Sequence, residues 1–99
     1  MREAVVKGQF YPASTEEIEA MFARFNKALE ESIRDPKLLE MKTEAIIVPH
    51  AGYIYSGFTA NSAYRLLGNS SVRRVVVIGP SHRVYLAGTS VSEYDLYET

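Results

Sequence analysis

The sequence predicts an α/β fold in which a mostly parallel sheet carries flanking helices, and three observations predict it. Two short β-branched runs, Ala45-Ile46-Ile47-Val48 and Val75-Val76-Val77-Ile78, are each bounded by turn-forming residues and read as buried strands. A helical pattern lies between them at the spacing of a βαβ unit, whose crossover is right-handed and leaves its strands parallel. An N-terminal amphipathic helix precedes the unit.

Taken in order, Gly8-Gln9-Phe10-Tyr11-Pro12-Ala13 reads as an extended or turn-like stretch, because Pro12 biases Tyr11 away from helical geometry. The first helix opens at Ser14, which forms a capping box with Glu17: each side chain can satisfy a free backbone N–H of the other residue. Apolar positions Ile18, Met21, Phe22, Phe25, Ala28, Leu29 and Ile33 recur with a 3.6-residue period, opposite Glu16, Glu19, Arg24, Lys27, Glu30 and Glu31. Asp35-Pro36 stops the helix, since proline is incompatible with a helical residue before it. Residues 37–44 form a polar connection in which Leu38, Leu39 and Met41 offer packing contacts.

After the first strand, Ala51-Gly52-Tyr53-Ile54-Tyr55-Ser56-Gly57 reads as a glycine- and tyrosine-rich bend. A second helix is expected over residues 58–67, with Ala60, Ala63, Tyr64 and Leu67 as its apolar stripe and Gly68 as its stop. Asn69-Ser70-Ser71 turns the chain into the second strand, and weaker strand candidates follow around residues 87–92 and 95–97. Two or three strands with two helices leave sheet edges open and faces partly bare, whereas parallel sheets are normally covered on both sides. Residues 1–99 are therefore expected to be a single partial α/β domain, the N-terminal portion of a larger one, completed by a missing C-terminal part or a second chain.

Composition narrows the chemistry. A net charge of −1 gives no electrostatic basis for nucleic-acid binding. No apolar run approaches the roughly 20 residues that span a bilayer, and the N-terminus lacks a signal peptide's apolar stretch, so a cytoplasmic location with no membrane partner is expected. The absence of cysteine excludes disulfides, a thiolate nucleophile and thiolate metal ligands within these residues.

The two histidines carry the sharpest signal. Val48-Pro49-His50-Ala51-Gly52-Tyr53 and Gly79-Pro80-Ser81-His82 each follow one of the β-branched runs. In open α/β sheets ligands gather beyond the carboxyl ends of the strands, so neighbouring parallel strands would deliver both imidazoles to one crevice. Neutral imidazole suits iron, copper or zinc; the plainer alternative is that each histidine only forms a hydrogen bond at a strand end. Tyr55 and Phe10 read either as aromatic walls for a ring-bearing ligand or as ordinary packing, with packing favoured for Tyr53. Ser56 and Gly57, expected just ahead of a helix, suit either an anion or a simple N-cap, the latter preferred. Ser81 lies in no nucleophile elbow, and Arg83 is placed to orient an anionic substrate.

Three motifs in register, Gly8-Gln9-Phe10-Tyr11-Pro12, the segment from Val48 through Gly57, and Ile78-Gly79-Pro80-Ser81-His82, make the chain resemble the N-terminal part of the Memo family. The resemblance covers essentially all of the chain and about the first third of the family's longer proteins. It implies a fold similar to part of the three-layer sandwich of class III extradiol dioxygenases. It also implies that His50 and His82 line a metal pocket whose third ligand is a cysteine far downstream, outside these residues. The metal so implied is iron or copper ahead of zinc, with a site incomplete in this chain; Phe10 and Ser81 are placed at the pocket. Family members are associated with transition-metal redox chemistry and, in animals, with phosphotyrosine peptides.

Three functional expectations result. One is a metal-dependent redox or dioxygenase-like enzyme with His50 and His82 as ligands. Another is a non-catalytic module binding a phosphorylated or aromatic peptide or a small anion. The last is a fragment inactive alone, compatible with either of the others.

Overall fold

The computed structural model describes residues 1–99. Its regular elements are α1 (Thr15–Ser32), a short 3₁₀ helix (Pro36–Glu40) and α2 (Tyr53–Leu67). The chain divides into two units: Val6–Val72, which holds all three helices, and a second made of Met1–Val5 with Arg73–Thr99.

In the helical unit one half of the expected capping box forms. The Ser14 side chain accepts from the Glu17 N–H at 3.2 Å, satisfying one of the donors that a helix start leaves unpaired. The Ile33 N–H closes α1 onto the Leu29 carbonyl, and Asp35 then caps the 3₁₀ helix by accepting from the Lys37 N–H at 3.0 Å. Proline is suited to the start of that helix because its missing donor would have been an orphan there. Leu29, on the expected apolar stripe, is the one buried hydrophobic residue of the chain.

The two α-helices meet through aromatic and polar contacts. Phe25 meets Phe58 edge to face at 6.3 Å, and Phe22 lies 5.9 Å from the Tyr53 ring. Beside them, Asn26 Oδ1 accepts from Asn61 Nδ2 at 2.8 Å and from an Arg65 guanidinium nitrogen at 3.0 Å, and the same nitrogen reaches Glu30 at 3.1 Å. Where α2 ends, Asn69 donates to the carbonyls of Leu39 and Met41, and the Ser70 hydroxyl donates to that of Thr43. The expected turn at residues 69–71 thus ties the interhelical connection down.

The expected parallel sheet is absent. The protein has two α-helices and no strand; its only β-type pairings are isolated bridges, Arg2 with Tyr97 and Lys7 with Tyr11. The α/β assignment, with its βαβ unit and its place in a three-layer sandwich, is therefore corrected to a helical pair with extended segments. In the runs read as strands Ile47 is 101% exposed, Val76 86% and Ile78 88%, while Ile46 and Val48 are half-buried. β-Propensity expresses fit to a pleated, half-buried surface, not an independent backbone preference. Without a continuous ladder these runs form no strand; nor do the candidates near residues 87–92 and 95–97, where Tyr97 makes only its isolated bridge to Arg2.

The second helix also needs correction, because α2 starts at Tyr53 and not at residue 58. Gly57, read as part of a bend, is a helical residue against which Phe25 packs: a Cβ there would meet the Phe25 ring at 2.8 Å. At its other end α2 stops at Gly68 with φ −62, so the stop is made without the left-handed conformation usual for a terminal glycine.

The unit of Met1–Val5 and Arg73–Thr99 is held by main-chain contacts at its two ends. The Arg2 N–H donates to Leu96, the Glu98 N–H donates back to Arg2, and the Ala4 N–H donates to the Glu98 carboxylate. Arg2 also lies over the Tyr94 ring, 5.9 Å from its centroid, in cation–π contact.

Candidate functional site

His50 occupies a non-helical turn immediately ahead of α2 and is exposed. Pro49 precedes it and restricts the backbone on that side. On the other side the chain is fixed by three residues. The Tyr53 N–H donates to the Phe10 carbonyl at 2.7 Å, the Ser56 hydroxyl donates to the Ala51 carbonyl at 3.0 Å, and the Gly52 carbonyl accepts from the N–H groups of Tyr55 and Ser56.

Phe10 reaches this turn because Gly8, at φ +79, reverses the chain and donates to the Tyr11 carbonyl at 2.8 Å. The backbone of Phe10 then passes so close to Gly52 that a Cβ there would lie 3.3 Å from the Phe10 oxygen. The structure thus brings the Phe10 segment, His50 and the first turn of α2 together. Tyr11 and Phe22 flank the Tyr53 ring at 5.8 and 5.9 Å. Burial, followed by the neighbouring Tyr11 and Tyr64 hydroxyls, pushes the Tyr53 hydroxyl above its ordinary pKa.

The expectation of packing for Tyr53 fits this cluster. Tyr55, one turn face away, is 87% exposed, and Phe10 is 58% exposed. Ser56 has neither of the roles the sequence suggested. It sits inside the first turn of α2 and donates its hydroxyl backwards, whereas the N-cap is Gly52, which has no side-chain cap. Nothing local in the sequence marks the Phe10 contact, because the partner is a main-chain carbonyl.

His82, Ser81 and Arg83 belong to the other unit and are exposed. They share a bend in which the Ser81 hydroxyl donates to the Val84 carbonyl. No group of three or more His, Asp or Glu side chains that could hold a metal ion is assembled in the chain. Its residues therefore do not fit a metal by themselves, and the two imidazoles are at most part of a ligand set. No helix is long and apolar enough to cross a membrane.

Comparison with known proteins follows the motifs that frame this turn. A MEMO1 family protein of Thermoplasma volcanium is 34% identical over 99 residues, covering 100% of this chain and 34% of its own length. Protein MEMO1 of Xenopus tropicalis is 38% identical and that of Homo sapiens 37% identical, each over 98 residues that make up 99% of this chain and 31% of the relative. The chain thus spans about a third of the length of the curated relatives it matches. No solved structure matches it. The family profile described as Memo-like protein aligns with residues 2–99, and on that coverage the chain belongs to the Memo-like protein family.

Proposed function

We propose that these residues are the histidine-bearing portion of a metal-dependent Memo-like protein with redox or dioxygenase-like activity. In the whole protein, His50 and His82 are two of the ligands of an iron or copper ion, and polypeptide outside residues 1–99 supplies the rest. The observation that supports this reading is the exposed imidazole of His50 on a turn tied to Phe10 and to the first turn of α2, in a chain of this family. A bound ion would supply Lewis-acid or redox chemistry. Phe10, Tyr55, Ser81 and Arg83 have the binding role: aromatic faces for a ring, and a hydroxyl and a guanidinium for polar or anionic groups of a small molecule or peptide.

The test is metal analysis of protein purified without chelator or affinity metal, followed by titration with Cu²⁺ or Fe²⁺. Binding that falls in both His50→Ala and His82→Ala supports the ligand assignment. Equal binding by wild type and both variants overturns it.

The exposure of Tyr55 and Phe10 favours a second reading, a non-catalytic surface for an aromatic or phosphorylated peptide or a small anion. On that reading Tyr55→Ala weakens capture of a phosphotyrosine peptide while the histidine variants leave it unchanged. Capture unaffected by Tyr55→Ala removes this alternative.

A further inference from the structure

We propose that Ser56 is a positioning residue for His50, acting through the Ala51 carbonyl. This rests on the reading of His50 as a functional group but not on any metal.

The turn that carries His50 has no regular structure of its own, so its backbone must be fixed from outside or remain free. Pro49 restricts one side of the histidine. Ala51 follows it on the other, and the Ala51 carbonyl, in the next peptide along, accepts the Ser56 hydroxyl at 3.0 Å. Ser56 also donates its backbone N–H to the Gly52 carbonyl at 3.1 Å. One helical residue therefore holds two successive carbonyls, those of the first and second residues after the histidine.

The polarity of the contact separates it from capping. An N-cap serine accepts a hydrogen bond from a backbone N–H two or three residues further on; this hydroxyl donates to a carbonyl five residues back. It completes no helical pattern, because the start of α2 is already made by Gly52 and by the Phe10 carbonyl. What the bond does is fix the Ala51–Gly52 peptide, one residue beyond the His50–Ala51 peptide, and so narrow the backbone freedom through which the His50 side chain could reorient. A loosely held site residue loses the geometry that binding and catalysis require, which is why supporting contacts around such residues matter.

The experiment is NMR of the 99-residue chain without metal, following the His50 ring resonances with the His82 ring and the α1 amides as internal controls. Ser56→Ala is expected to shift or broaden the His50 signals beyond the linewidth and leave the controls in place. Ser56→Thr, which keeps a hydroxyl able to donate to the same Ala51 carbonyl, is expected to restore them. His50 signals unchanged in Ser56→Ala overturn the proposal, as does a threonine variant that behaves like alanine. Should Ser56→Ala lose the helical amide pattern, Ser56→Cys is measured in its place; its weak donor should leave His50 displaced from wild type, and a spectrum indistinguishable from wild type overturns the proposal. Because no metal is added, failure of the ligand assignment leaves this result interpretable, and the reverse also holds.

Discussion

The two histidine-bearing segments start from similar local sequence and meet different surroundings. Residues 45–50 lead into α2, where Phe10, Tyr53 and Ser56 fasten the turn behind the histidine. Residues 75–82 lead into an exposed bend with no helix after it, in which the Ser81 hydroxyl donates to the Val84 carbonyl. A β-branched run followed by proline and histidine thus does not by itself specify a strand. Of the two histidines only His50 is followed by a helix, and that helix holds the backbone just after it.

Glycine substitution should separate the regions most sharply. An added methyl at Gly57 would lie 2.8 and 2.9 Å from two carbons of the Phe25 ring, so either the ring or the helix must move. Gly57→Ala is expected to destabilise the helical unit by up to about 2 kcal/mol net, the roughly 1–3 kcal/mol scale of overpacking less the roughly 1 kcal/mol that alanine gains over glycine in a helix. Gly79 has nothing within 4 Å of the same methyl, so Gly79→Ala should leave the melting temperature unchanged. Thermal unfolding followed by circular dichroism at the helical band checks both, and equal effects would erase the contrast.

The interhelical polar contact comes next in size. Asn26 Oδ1 accepts from both Asn61 and Arg65, so Asn26→Ala removes the acceptor of Asn61 Nδ2 and leaves the Arg65 nitrogen with Glu30 alone. The expected cost is about 1–2 kcal/mol, since a donor deprived of its acceptor loses more than an average hydrogen bond contributes. Glu30→Ala removes only the exposed end of the cluster and should cost less than about 0.5 kcal/mol. Urea unfolding of the two variants would reverse this ordering if Arg65 were held chiefly by its ion pair.

These contacts also mark what could be read from the sequence. The first helix was legible because its signals are local, a cap at Ser14 and a period of apolar residues, although it ends at Ser32, ahead of the stop read at Asp35-Pro36. Gly57 was misread because a glycine that relieves contact with a distant ring looks the same in sequence as one that bends the chain. The sheet was misread for a related reason: residues 45–48 and 75–78 have the composition of strands, but pairing and cover are supplied by other segments. At the site, the motif around His50 was visible, while its attachment to a main-chain carbonyl and the reversed role of Ser56 were not.

The smallest expected effect concerns pH and distinguishes the aromatic cluster from the exposed tyrosines of the other region. Burial, then the neighbouring Tyr11 and Tyr64 hydroxyls, raise the folded-state pKa of Tyr53 above its ordinary value of 10.0. Tyrosine is neutral when protonated, so above the unfolded-state pKa the folded form retains the proton more often than the unfolded form does. The unfolded state then binds fewer protons, and the slope of unfolding free energy against pH is negative. The contribution to stability is therefore fully present below pH 10 and is lost as pH rises through the folded-state pKa. It should be small, because Tyr53 is only half-buried and solvent screens its neighbours. Tyr53→Phe should flatten the alkaline decline in melting temperature, whereas Tyr85→Phe, in the exposed segment at 90% exposure, should leave it unchanged. An equal response in the two variants would mean that the ring cluster around Tyr53 gives the hydroxyl no special environment.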